Sequence, residues 1–251
     1  MLFKCIMFSW LLNYLVPARL GDIARGAALK TTEGAPLSVS LSTVVVERIY
    51  DTMTLAFLLA IASLFFYKEQ LFWLELFSIA IFIGLLSVLF IIYKKDCYII
   101  MTLGTRIPSL NESMYLMKDG LSKIMKNKSA MALCFAVSIP VWLFEISSIF
   151  FASKAIDFDI SFLFATVSGI AAFIAQSLPI TPAGIGVHEA SITGILALFG
   201  VPTSTGMSIA LIDHFARGFI VYTFGLISAI HIGFASRSYF KQTKDNKMTD
   251  G

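Results

Sequence analysis

Charged side chains are scarce in this 251-residue chain, where Asp, Glu, Lys and Arg together make up 14%. Soluble domains carry about a quarter. That shortfall, with 57% hydrophobic residues, 23 Phe and 10 Met and a mean hydropathy of +0.83, excludes an ordinary soluble class and points to an integral membrane protein. Cysteine is scarce too. Cys5, Cys97 and Cys134 are unevenly spaced and form neither a disulfide framework nor a zinc pattern. "VHEAS" holds His188 and Glu189 but lacks the second histidine of a zinc-protease helix, because position 192 is Ile. No nucleophile elbow, P-loop or dinucleotide glycine fingerprint stands in the right context, so no metal or other cofactor is expected. The net charge of +3 is modest, and in a membrane protein it reflects cytoplasmic Lys and Arg rather than a nucleic-acid partner.

What the chain does contain is a series of apolar segments. They predict an all-α, polytopic membrane fold of about six to eight transmembrane helices, each crossing about 30 Å of hydrocarbon at about 1.5 Å per residue. The first segment is Met1 to Val16, followed by a polar stretch from Arg19 to Glu33 that reads as a surface or re-entrant helix. The next, from Ala35 to Phe66, is too long for one straight crossing and is expected to bend or to begin in a vestibule. Leu71 to Tyr93, Ala130 to Ala152 and Ile160 to Ile180 read as spanning helices, with Trp73, Tyr93 and Trp142 as interface or packing aromatics. "PITPAGIG", from Pro179 to Gly186, then breaks the pattern at apparent membrane depth, where non-helical backbone is tolerated only against protein or a water-filled cavity. A short apolar helix to Gly200, a turn at Pro202 and a long segment from Met207 to Phe234 complete the domain.

These segments make a single helical membrane domain over 1–235, with repeat-like halves near 1–93 and 130–235, an amphipathic loop over 94–129 and a polar, disordered tail over 236–251. Lys and Arg crowd the loop and the tail, so both are expected on the cytoplasmic side of the cell membrane. "MLFKCIMFSWLLNYLVPA" has the outline of a signal peptide, but Pro17 and Ala18 belong to a repeated motif.

That motif appears in "LVPARLGDIARG" (Leu15 to Gly26) and in "LPITPAGIGVHEAS" (Leu178 to Ser191), which share Pro-Ala, one residue, Leu or Ile, and Gly. Further on, "VVERIYD" carries Glu47, Arg48 and Asp51, and "LIDHFAR" carries Asp213, His214 and Arg217 at matching distances. Corresponding proline- and glycine-broken segments are the sequence pointer to a midplane binding site in transporters, here two re-entrant hairpins related by an internal repeat. An ionised side chain at the bilayer centre costs about 2.5 to 3.5 kcal/mol on insertion scales, so such groups need partners. Asp213 and Arg217 stand in the favoured i, i+4 order for a self-satisfied pair. Glu47 and Asp51 carry like charge and need Arg48, Arg217 or Arg19, while Glu145, alone in "VWLFEISSIF", is expected to join the same polar cluster or to face a cavity.

"NYLVPARLGDIARGAAL", "STVVVERIYD" and "LPITPAGIGVHEASITGILALFGVP" resemble, in that order and over essentially the whole chain, the membrane domain of lysylphosphatidylglycerol synthase/flippase proteins and their stand-alone relatives. The resemblance falls on Pro17, Arg19, Gly21, Asp22 and Arg25; on Glu47, Arg48 and Asp51; and on Pro182, Gly184, Gly186 and Glu189. Two departures stand out. Members of that family usually carry at least one more apolar segment ahead of the first motif, which points to a truncated or short form, and the soluble aminoacyl-transfer domain of the bifunctional members has no counterpart, so lysyl-lipid synthesis is not carried over.

The resemblance implies movement of a lipid or lipid-linked group between leaflets rather than an enzyme. An anionic phospholipid or polyprenyl-phosphate head suits Arg19, Arg25, Arg48 and Arg217, whose planar donor forks match phosphate. Gly21 and Gly186 let backbone amides approach closely, and His188, Asp213 and Glu145 complete the candidate substrate-binding set. The expected partners are membrane lipids, that anionic lipid or lipid phosphate, and a second copy of the chain. Two alternatives use the same residues differently: a membrane-embedded lipid-headgroup or sugar transferase, and a non-catalytic subunit of an envelope or glycosylation pathway.

Overall fold

The computed structural model describes residues 1–16, 19–65, 127–177 and 181–249, with isolated helical positions at 80, 83, 84 and 87, and describes side chains as far as Gly233. Pro17, Ala18, most of the apolar segment Leu71 to Tyr93 and nearly all of the 94–129 loop therefore lie outside the described residues. Within them the chain is all-helical, as its composition predicts: α1 (Leu2–Leu15), α2 (Leu20–Glu33), α3 (Leu37–Ser63), α4 (Lys128–Lys154), α5 (Phe162–Ser177), a single 3-10 turn (Pro182–Gly184), α6 (Val187–Leu198) and α7 (Thr203–Thr249).

Local chemistry sets the helix ends. Val16, which precedes Pro17, is extended at φ −122° and ψ 129°, the conformation that a following proline ring favours. Arg19 then turns the chain in the left-handed region at φ 52°, and α2 starts at once. It stops at Gly34, φ +70°, where the Gly34 amide returns to the Lys30 carbonyl and the Ala35 amide to that of Leu29, the first bond being that of an αL end. The Asn127 side chain caps α4 by accepting from the Ala130 amide at 3.0 Å. At α6, the Glu189 carboxylate reaches back to the Gly186 amide at 2.7 Å, satisfying a donor the helix start would leave open.

The helices repeat as a unit. α1, α2 and α3 correspond to α5, α6 and α7: an apolar helix, a Pro-Ala motif whose next residue is left-handed (Arg19, Gly184), a short helix of 14 or 12 residues, a left-handed glycine (Gly34, Gly200), a proline (Pro36, Pro202) and a long helix. Among the described residues α4 (Lys128–Lys154) stands between the two. The units exchange their first helices, with α1 packed on α7 and α5 on α3. Close approach at these seams needs glycine: a Cβ at Gly225 of α7 would sit 2.6 Å from Leu11 Cβ of α1.

A buried core joins Leu55, Leu58 and Leu59 of α3, Ile146 and Ile149 of α4, Ile170 of α5, Ile192 and Leu196 of α6 and Ile209 of α7. The outside is as apolar as the inside. Phe144 and Phe215 are 78% and 76% exposed, a surface that water disfavours and lipid accepts. Two helices among the described residues have both the length and the composition to cross a bilayer, α4 and residues Thr203–Gly233 of α7, while α1 and α5 are apolar but shorter.

Within the long Ala35 to Phe66 segment one uninterrupted helix runs for 27 residues, Leu37–Ser63, with Gly34 and Pro36 ahead of its start. One expectation is corrected. The backbone of α7 stays helical through Thr249, across most of the tail read as disordered; once a helix is nucleated each added residue gains a hydrogen bond, and Lys, Gln, Arg and Met are good helix formers.

Candidate functional site

The repeat places ionisable groups at equivalent points. Glu47 and Asp213 each stand ten residues past the first residue of their long helix (37 to 47, 203 to 213), Arg48 and His214 follow, and Asp51 and Arg217 come fourteen past it. In each unit the first acid meets a nitrogen-bearing side chain from the short helix. Arg25 Nη2 of α2 donates to Glu47 Oε2 at 2.7 Å, and His188 Nε2 of α6 lies 2.9 Å from Asp213 Oδ2. In each unit the third group meets α4: Trp142 Nε1 donates to Asp51 Oδ1 at 3.2 Å, and Arg217 pairs with Glu145. Because α4 carries both contacts, it ties the two units together at corresponding positions.

The first half-site is built around Arg48. Its guanidinium lies 3.2 Å from Asp51, and 3.6 Å from both Asp22 and Glu47. Its Nε is buried with no hydrogen-bond partner among the described residues, a costly state unless something else fills the position. Asn13 of α1 shapes the adjoining turn: its Oδ1 accepts from the Gly21 amide at 2.9 Å and its Nδ2 donates to Asp22 at 3.5 Å. Gly21 is obligatory there, since a Cβ would lie 2.0 Å from the Ser9 carbonyl oxygen. Arg19 makes no ion pair among the described residues. Its guanidinium carbon sits 5.9 Å from the centroid of the Phe173 ring, and that ring packs edge-on against Trp142 at 4.5 Å.

The second half-site is more buried. Asp213, 1% exposed, accepts from Arg217 Nε at 2.8 Å and from the Ser148 hydroxyl besides meeting His188. Arg217 also donates to the Glu145 backbone carbonyl at 2.5 Å and to Ser148 Oγ at 2.7 Å. Gln176 Nε2 of α5 lies 2.5 Å from His188 Nδ1. His214 Nδ1 lies 2.6 Å from Glu189 Oε1, with Tyr14 of α1 edge-on to the His214 ring. Gly184, φ +75°, fits under Gln176, for a Cβ would meet its Cγ at 2.8 Å.

The candidate residues thus gather into two linked clusters. The Asp213 and Arg217 pair forms as its spacing predicts, and Glu145 joins it, whereas Glu47 takes Arg25, a partner its own helix does not advertise. Pro182 opens the 3-10 turn and contributes conformation. Sequence reasoning passed over Asn13, Tyr14, Ser148 and Gln176, and read Trp142 as an interface or packing aromatic. Asn13 and Gln176 did carry a signal, each being an isolated amide near the end of an apolar run. Ser148 carried none, because serine hydroxyls satisfy themselves on the helix backbone, and Tyr14 carried none, reading as one more aromatic in an apolar run. Among the described residues no three His, Cys, Asp or Glu side chains are disposed to hold a metal ion.

The model of the family described as Lysylphosphatidylglycerol synthase TM region matches residues 1–225. The chain belongs to that family. A UPF0104 membrane protein of Methanocaldococcus jannaschii is 27% identical over 238 residues, covering 94% of this chain and 99% of the relative. One from Methanothermobacter thermautotrophicus is 26% identical over 228 residues, covering 82% and 66%, and a second from M. jannaschii is 23% identical over 253 residues, covering 92% and 74%. No solved structure matches. Membership of the lysylphosphatidylglycerol synthase TM-region family, with the apolar exposed helices, makes this a membrane protein. The family match runs through both half-sites described above.

Proposed function

We propose that this chain is a lipid transporter, not an enzyme, and that it moves an anionic phospholipid or a lipid-linked phosphate between leaflets. The observation that carries the reading is the first half-site: Arg48 has a buried, unpartnered Nε, and Arg19 is held by an aromatic face instead of a carboxylate. Guanidinium donors left open beside a turn are what a phosphate head would take up. The family supports a flippase-like role. The short helices α2 and α6, about 21 and 18 Å long at 1.5 Å per residue, fall short of the hydrocarbon thickness and suit hairpins that turn back. The head would pass between the units while acyl or isoprenoid chains stay in lipid, with the 94–129 loop and the tail cytoplasmic.

The test is leaflet translocation of fluorescent anionic and neutral lipids, and of a short polyprenyl phosphate, in liposomes carrying purified wild type or Arg48→Ala. The expected result is accelerated movement of one phosphate-bearing class, lost in the folded variant. If no lipid moves faster than in empty liposomes, the reading fails; a covalently altered lipid would point to a transferase instead.

A further inference from the structure

The two half-sites differ in charge balance. The first sets Arg19, Arg25 and Arg48 against Asp22, Glu47 and Asp51, three positive against three negative. The second sets Arg217 alone against Glu145, Glu189 and Asp213, one positive against three negative. It lacks two positive charges, and there the chain places two of its three histidines, each against one of the surplus carboxylates. We propose that the second half-site is a proton-binding site in which His188 and His214 take up two protons and Gln176 transmits the state of His188 to the hairpin turn.

The atoms make the proposal specific. A carboxylate only accepts, so the ring nitrogens facing Asp213 and Glu189 carry hydrogens in either charge state. The other His188 nitrogen, Nδ1, faces the Gln176 amide nitrogen at 2.5 Å. With that amide donating, Nδ1 accepts and His188 is neutral. A second proton on Nδ1 requires a half-turn of the Gln176 amide, so that Oε1 accepts it. Because Gln176 packs directly against Gly184 in the turn, that rotation happens where the hairpin has no side chain to spare. Every group facing His188 takes part: Glu189 beside it on α6, Gln176 from α5, and Asp213 and His214 from α7, the two imidazole centroids being 4.7 Å apart. Behind them stand Arg217 of α7, Glu145 and Ser148 of α4, and Tyr14 of α1. Protonation of one ring therefore opposes the other at close range while each relieves its own acid, so the protons bind in two steps.

The protein has three histidines, so imidazole nitrogen NMR on histidine-labelled protein in nanodiscs can read each one, with His231→Gln, His214→Gln and His188→Gln assigning the signals. The spectra are followed from about pH 8 to 5, the interval in which histidine switches physiologically, and the expected result is that both the His188 and the His214 signals respond. Gln176→Glu should hold His188 doubly protonated throughout, and Gln176→Leu should hold it neutral. Rings that stay neutral across the range would overturn the proposal, and so would rings charged across the range, which would make them fixed ion pairs. Coupling to transport rests on the reading above and has its own measurement, in which a pH gradient across liposomes should change the wild-type rate several-fold and leave Gln176→Leu insensitive. Absence of any lipid movement would sink the transport reading while the NMR titration still decides the proton site.

Discussion

Replacing Gly21 by alanine separates steric closeness from backbone conformation, because α2 has one glycine in its first turn and another just past its end. At Gly21 an added Cβ would lie 2.0 Å from the Ser9 carbonyl oxygen and 2.7 Å from Asn13 Oδ1. Ordinary contact begins near 3.4 Å, so α1 and α2 would have to part by 3.4 − 2.0 = 1.4 Å at that point. Such overpacking costs about 1 to 3 kcal/mol. The shift would also stretch the 2.9 Å bond from the Gly21 amide to Asn13 beyond hydrogen-bonding range, a further loss of about 0.5 to 1.5 kcal/mol. At Gly34 the Cβ would meet nothing within 4 Å and the only penalty is φ +70°, about 1 kcal/mol. With about 3 against about 1 kcal/mol, Gly21→Ala should lower the unfolding temperature by roughly 6 to 12 °C and Gly34→Ala by roughly 2 to 4 °C. Tryptophan fluorescence on both variants in one detergent at one scan rate makes the comparison, since membrane proteins often unfold irreversibly. Equal losses, or a larger loss for Gly34→Ala, would refute the close α1–α2 packing from which the first half-site is built.

Arg217→Ala should destabilise by about 3 to 5 kcal/mol, because it strips a buried carboxylate of its charge partner; Arg217→Lys should recover part of this, one ammonium being unable to reach Asp213, Ser148 and Glu145 together, and thermal unfolding ranks the three proteins. Trp142→Phe keeps the ring against Phe173 but removes the donor to Asp51, an expected loss of about 1 to 2 kcal/mol in the same assay. A double-mutant cycle on Arg25→Ala and Glu47→Gln should give a coupling of about 1 kcal/mol that falls with added salt, as Glu47 is 39% exposed; no coupling at low salt would deny the pair a role.

The pairings show how unevenly the site was legible. Asp213 and Arg217 could be matched by spacing alone, since four residues bring two side chains onto one helical face. Glu47 could not be matched to Arg25, 22 residues away on another helix, because that contact depends on how α2 folds back at Gly34 and Pro36. Glu145 announced itself as an acid in an apolar run, yet nothing in its own segment indicated that Arg217 would meet it.

What the sequence determined by itself was the membrane class, the all-helical fold, the paired proline and glycine turns and the set of ionisable groups that must find partners. These follow from composition, from periodicity and from the cost of charge in hydrocarbon, all of which are properties of the chain before it packs. Tertiary structure alone decided that α4 clasps both units, that Asn13 and Gln176 serve the turns, and that one half-site is balanced in charge while the other is two positive charges short. Each of these depends on distances between helices far apart in sequence, and only packing fixes those distances.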